Sequence, residues 1–327
     1  MINYLWFRKN IFSLFLFPFT FIYWLVSSNR RRCYLNGDYP SYKSKVPVVV
    51  IGNIMVGGNG KTPVVIELAK YLQQKGLRVG IVSRGYRAQP KKLPFEVLED
   101  SNVLEAGDEP LLIKRKTGAR VVIDPIRVRA VKSIENEVDV ILTDDGLQHY
   151  ALQRNIEILV IDGKRRFGNG WLMPMGPLRE GLWRLNTVDF KICNGGEAQP
   201  FEVRMDLAVN DIYNANDKYH NTLQPNSKVC VLAGIGDPSR VYKTVESLGF
   251  SIAATIKADD HKFVNISDIK NSKYPVIMTE KDYVKYNCQD FDDRVFVLPV
   301  TAVLEKSFYG IFYAKLRTFL HKDESIL

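Results

Sequence analysis

The stretch that most constrains this chain is KVPVVVIGNIMVGGNGKTPVVIELAKYLQQKG, from Lys45 to Gly76. Its β-branched run, Val46 to Gly52, reads as a buried strand. From Thr62 the apolar residues take helical spacing and end on Gly76, a C′ residue. A strand that enters a Gly-rich turn and opens a helix gathers backbone N–H groups and a positive dipole end around an anion. Gly57, Gly58 and Gly60, with Asn59 between the last two, allow the close backbone approach this needs. Lys61 is placed to neutralise β- and γ-phosphates, and the Thr62 hydroxyl to hold Mg²⁺. Met55 stands where the usual pattern has its first glycine, so the match is incomplete in sequence but correct in context. Pro63 falls early in the helix, where a lost N–H costs little.

The same rhythm continues. Strands are expected at Arg78 to Arg84, Arg120 to Asp124, Val138 to Asp145 and Ile156 to Asp162, with a basic helix over Pro125 to Asn136. Hydrophobic strands alternating with helices imply a parallel sheet covered on both faces. A polar stretch, Asn210 to Lys228, reads as a linker or hinge. A second α/β unit then opens with KVCVLAGIGDPSRVYKTVESLGF and continues through YPVIMTEKDYVKY and RVFVLPV to a last helix over Glu305 to His321. The expected division is 1–32 for a membrane-anchoring helix, 33–215 for a P-loop domain and 216–327 for a smaller α/β domain.

The N-terminus has a different character. No charged residue occurs from Asn10 to Asn29, Lys9 precedes that run, and Arg30 to Arg32 follow it. As a helix this stretch reaches about 30 Å, the thickness of a bilayer core. Dense positive charge directly after the apolar run disfavours a cleaved signal peptide. A membrane anchor is expected, spanning or lying in the interface, with Pro18 interrupting its middle. The net charge of +9 suits an anionic partner. No basic stripe interleaved with aromatic residues is found, so nucleic acid is not expected. The four cysteines are widely separated and indicate neither a zinc site nor a disulfide framework.

A P-loop needs an acidic residue at the end of a neighbouring strand, and VILTDDGLQH supplies Asp144 and Asp145, with His149 beyond them. GDEP, Gly107 to Pro110, reads as a helix start with Asp108 as cap; spacing alone leaves its function open. The elements GNIMVGGNGKTP, SRGY, GDEP, DDGLQH, PLRE and DDHKF occur in that order. This ordered set, over nearly the whole chain, resembles the tetraacyldisaccharide 4′-kinase family of the lipid A pathway, whose P-loop also lacks the first glycine.

The resemblance implies an α/β enzyme that transfers the γ-phosphate of ATP, with Mg²⁺, to the 4′-hydroxyl of a tetra-acylated glucosamine disaccharide 1-phosphate, forming lipid IVA. It implies work at the cytoplasmic face of an anionic inner membrane, and no obligate protein partner. It makes Asp108 the candidate base, paired with His261 of the second unit. Thr62, Asp144, Asp145 and Glu180 become candidates for the metal, and Tyr86, Glu109, Arg127, His149 and Arg179 for the nucleotide or substrate pocket. Arg129 is a further candidate for transferred charge. Two rivals are weighed. A guanine-specific switch lacks its N/T-K-x-D element, since IKAD and TEKD both miss it. A non-catalytic membrane-binding module leaves the ordered acidic motifs without a purpose.

Overall fold

The computed structural model of the chain describes residues 6–7, 11–216, 222–258 and 262–320. After a 3₁₀ turn at Ile11–Leu16 come α1 (Phe17–Asn36), β1 (Val48–Gly52), α2 (Lys61–Gln74), β2 (Val79–Ser83), β3 (Phe95–Val97), α3 (Val103–Ala106), α4 (Asp108–Thr117), β4 (Arg120–Ile123), α5 (Arg127–Ile134), β5 (Val140–Asp144) and β6 (Ile156–Asp162). Then follow β7 (Phe190–Asn194), β8 (Val203–Val209), β9 (Tyr213–Asn214), β10 (Lys228–Leu232), α6 (Pro238–Ser247), β11 (Ser251–Ile256), α7 (Ile266–Lys270), β12 (Val276–Thr279), α8 (Glu280–Tyr283), β13 (Val295–Leu298), β14 (Val300–Leu304) and α9 (Lys306–Leu320).

The strands form two sheets, ordered β14-β8-β7-β6-β1-β5-β2-β4-β3 and β11-β10-β12-β13-β9. In the first, every neighbouring pair from β8 to β4 is parallel, and only the edge strands β3 and β14 run antiparallel. Side chains alternate across β1, so Val49 and Ile51 enter one core while Val48 and Val50 enter the other. Helix α2 covers the first face with Val64, Val65, Leu68, Ala69 and Leu72. Helix α5 covers the second with Ala130, Val131 and Ile134. Both faces are thus buried, as a parallel sheet with helical crossovers requires.

The expected boundary at residues 215 and 216 does not describe the second unit. The RVFVLPV run holds β13 and ends on the first residue of β14, and these lie in different sheets: β13 pairs with β12 and β9, whereas β14 pairs with β8. Pro299 separates them, and a residue without an N–H is a natural break between ladders. Helix α9 then buries Phe308, Phe312 and Leu316 in the first core. The chain therefore leaves the first unit, builds the five-stranded sheet, and returns.

Of the two forms expected for the N-terminal anchor, spanning or lying in the interface, the structure bears on the first. No helix among the described residues is long and apolar enough to cross a membrane. Proline cannot sit in a helix interior without losing a hydrogen bond, so α1 begins at Phe17 with Pro18 in its first turn. It then carries Arg30, Arg31 and Arg32 inside the helix. Thr20 is buried against the first unit, where its Oγ1 accepts from Met175 N at 3.1 Å. Tyr23 Oη donates to the Arg179 carbonyl at 2.9 Å, and Arg31 stacks over Trp183 at 4.1 Å. Phe17, Phe19, Phe21, Ile22, Trp24, Leu25 and Val26 remain exposed.

Candidate active site

The loop between β1 and α2 is braced from beneath. Met55 is buried in the second core, which accounts for an apolar side chain where a glycine is usual. Asn53 Oδ1 accepts from Met55 N at 2.8 Å, and Val56 N donates to Pro177 O at 2.9 Å. Gly57 and Gly60 adopt φ of 109° and 85°, left-handed values that favour glycine. Arg165 donates to Gly58 O and, at 3.0 Å, to Asn59 Oδ1. Asn59 is therefore turned inward, where Asn194 Nδ2 also donates to its carbonyl at 3.0 Å.

This loop forms one wall of a cavity of about 1320 Å³, lined there by Gly57, Gly58 and Lys61. Asn59, Gly60 and Thr62 are not among the lining residues. The pairing of β1 with β5 sets Ile51 against Asp144, so the strand-end acidic pair stands beside the loop. Lys61 Nζ lies 3.6 Å from Asp145 Oδ1, and Arg179 Nη1 lies 2.9 Å from Asp145 Oδ2. Burial opposes ionisation of Asp145, but the charges of Lys61, Arg179 and Arg127 overcome it and hold its pKa down at about 2. Asp144 is driven the other way, up to about 7, by burial and then by the charge of Glu109. Its Oδ1 is buried without a hydrogen-bond partner in the protein. An oxygen-rich, partly dehydrated carboxylate of this kind suits a hard divalent cation.

The other predicted residues divide. Arg127 is buried and donates through Nη2 to the carbonyls of Asp144 at 3.2 Å and Asp145 at 2.8 Å, so it holds the acidic turn in shape. Tyr86 is on the rim, half exposed, and His149 lines the wall. Burial, followed by the charges of Arg127 and Arg154, lowers the His149 pKa to about 4, leaving a neutral imidazole. Glu180 does not join the acidic pair: Tyr150 donates to one of its oxygens, and Gln148 at 2.9 Å and Arg184 at 3.4 Å approach the other. Arg129 is tied to Asp124 and takes no part in the cavity lining. Among the described residues, no group of three or more His, Cys, Asp and Glu side chains is arranged to hold a metal. Magnesium commonly takes one or two carboxylates plus substrate phosphates and water, so Asp144 beside a phosphate loop fits it without such a group.

Asp108, which also lines the cavity, begins α4, capped by Gly107 rather than capping the helix itself. It is 7% exposed, and its Oδ1 accepts from Glu109 N at 3.0 Å. Glu109 Oε1 accepts from Lys281 Nζ of α8 at 2.9 Å. His261 lies outside the described residues. Lys281 and the α1 residues Tyr23, Arg30 and Arg31, all lining the cavity, were not reached from sequence. For Lys281 a signal existed, since TEKD ends β12 with carboxylates, but no glycine loop stands beside it in the chain to mark it.

A parallel sheet with its glycine loop, lysine and strand-end carboxylates at one cavity defines a P-loop nucleotide-binding protein. The family model for tetraacyldisaccharide-1-P 4′-kinase matches residues 12–317. A tetraacyldisaccharide 4′-kinase of Tolumonas auensis is 42% identical over 98% of this chain and 99% of its own length. One from Aliivibrio fischeri is 44% identical over 94% and 95%. The crystal structure of LpxK from Aquifex aeolicus, an "apo" form in complex with ATP, is similar with a TM-score of 0.78 and 28% identity over 94% of this chain and 100% of that one. The chain belongs to the tetraacyldisaccharide-1-P 4′-kinase family.

Proposed function

We propose that this protein transfers the γ-phosphate of ATP to the 4′-hydroxyl of a tetra-acylated glucosamine disaccharide 1-phosphate, forming lipid IVA. The observation that carries this reading is that the Lys61–Asp145 pair and the buried Asp108 line one cavity. The loop N–H groups and Lys61 bind and neutralise the β- and γ-phosphates, leaving the γ-phosphoryl facing the acceptor wall. Asp108 accepts the proton of the sugar hydroxyl, with His261 as its partner in the family's pattern. Arg179 shares the Asp145 carboxylate with Lys61 and is placed to meet charge spreading over the transferred group. Asp144, with Thr62 at the start of α2, would hold Mg²⁺, which would supply positive charge to offset that of the phosphates.

Four acyl chains keep the acceptor in the bilayer, so the enzyme must work at the membrane surface. We assign that contact to the exposed apolar face of α1, with Arg30 to Arg32 meeting anionic headgroups at the cytoplasmic face of the inner membrane. The cavity opens beside this helix, since Tyr23, Trp24 and Arg31 line it.

Transfer of radiolabel from γ-labelled ATP to the disaccharide 1-phosphate in mixed micelles tests the reading. Wild-type protein labels the lipid, while Lys61→Ala and Asp108→Ala do not. ATP hydrolysis independent of the lipid, with no labelled product, would instead mark a nucleotide switch.

A further inference from the structure

Two neighbouring residues of α8 meet α4 and lead to different places. Glu280 is buried and pairs with Lys116 in the last turn of α4, away from the cavity lining. Lys281, one residue on, lines the cavity at the first turn of α4. Its Nζ is 2.9 Å from Glu109 Oε1 and 4.0 Å from Asp108 Oδ2. The lysine side chain is 18% exposed and that of Asp108 8%, so this charge works largely out of water. At 4.0 Å it lies beyond hydrogen-bond reach of Oδ2 and acts on that oxygen through its field.

The backbone that carries Lys281 is held by the second unit. Asp282 Oδ2 accepts from Gly234 N at 2.8 Å and from Thr279 Oγ1 at 2.7 Å, while its Oδ1 pairs with Lys285 Nζ at 2.7 Å. Asp282 is 1% exposed. A four-residue helix anchored in this way has little freedom to follow α4 by itself. The ammonium thus carries a contact from the second unit to Glu109 of the first.

Resting on the reading of Asp108 as proton acceptor, we propose that Lys281 is a positioning residue for phosphoryl transfer. It holds the Glu109 carboxylate and sets the field at Asp108, so that docking of the second unit completes the acceptor wall. A lysine that merely fastens the two units together would behave as Lys116 does.

The experiment measures kcat and the KM for ATP, with melting temperatures, for Lys281→Ala, Lys281→Arg, Lys116→Ala and Asp108→Asn in mixed micelles. Removing a residue that orients reacting groups lowers turnover by about 10–100-fold. That loss is expected in kcat for Lys281→Ala with the KM for ATP unchanged, part of it is regained in Lys281→Arg, and Lys116→Ala turns over as wild type. If Lys281→Ala fails to fold, Lys281→Gln takes its place, keeping the packing and removing the charge. Equal losses for Lys281 and Lys116, a loss confined to the KM for ATP, or no recovery with arginine would each overturn the inference. Full activity in Asp108→Asn would instead remove the base reading on which it stands.

Discussion

Lys61 Nζ and Asp145 Oδ1 stand 3.6 Å apart, a lysine at the start of α2 facing a carboxylate that directly follows β5. Arg179 takes the other oxygen of the same carboxylate. Asp145 thus spaces two cations at the phosphate end of the cavity. Asp145→Asn should leave them repelling each other and lower kcat/KM for ATP by about 100-fold, the scale of losing one preorganised electrostatic group. Steady-state kinetics at saturating lipid measures this, and near-wild-type values would show that the spacing is immaterial.

The unpartnered oxygen of buried Asp144 makes a separate prediction. Asp144→Asn should raise the Mg²⁺ concentration for half-maximal turnover by about tenfold or more, because a hard cation loses an anionic ligand. Chelation of Mg²⁺ should stop turnover of the wild-type protein while leaving it folded, with only the modest loss in melting temperature of a departing ligand, since the cores are apolar. A metal titration of activity beside a thermal melt distinguishes these effects.

Glu157 and Arg184 set part of the pH dependence of stability. Burial by itself raises the Glu157 pKa, but hydrogen bonds and charge from Arg184, helped by Arg154, overcome it and hold the carboxyl below its usual range. A carboxylate depressed in the folded state stabilises the protein above its unfolded pKa, about 4.3, and loses that contribution as pH falls through the folded value. Glu157→Gln should therefore be less stable at neutral pH by about 3 kcal/mol, because it leaves nearly buried Arg184 without its main partner. The deficit should shrink below about pH 4. Urea unfolding across this range is the measurement, and a constant deficit down to low pH would rule out the ion pair as its source.

Phe312 belongs to the first core although its helix follows the second unit in sequence. Phe312→Ala should destabilise the protein by about 3–5 kcal/mol. Hydrogen exchange should show the loss of protection in β6 and β7 rather than in β10 and β12. Loss confined to the five-stranded sheet would contradict the placement of α9.

The exposed face of α1 should bind lipid. Each apolar side chain fully withdrawn from water contributes about 1.5–3 kcal/mol, so changing Phe21, Trp24 and Leu25 to serine should weaken binding to phosphatidylglycerol vesicles by at least about 100-fold. Flotation with vesicles and the shift of Trp24 fluorescence both report it. Unchanged flotation would move the membrane contact elsewhere.

Much of this site was legible along the chain because its chemistry is local. A strand, a glycine turn and a helix within 32 residues announce a phosphate loop, since the N–H groups, dipole and lysine that hold an anion come from one continuous segment. The Asp144–Asp145 pair was legible for a similar reason, as carboxylates ending a buried strand. The hydrogen bonds of Asn59 and Glu180 were not legible because they come from other segments: Arg165 and Asn194 for the first, Tyr150, Gln148 and Arg184 for the second.

By itself the sequence determined the α/β rhythm, the anion-binding turn, and the ordered motifs that place the chain in its family. Those properties follow from side-chain periodicity and backbone freedom over short stretches. Tertiary structure alone decided that β14 and α9 return to the first unit, that α1 rests on the kinase core, and that Lys281 faces Asp108 and Glu109. Each of these joins residues far apart in the chain. Such contacts form only where complementary apolar faces and charges happen to be brought together, and no local pattern records which faces will meet.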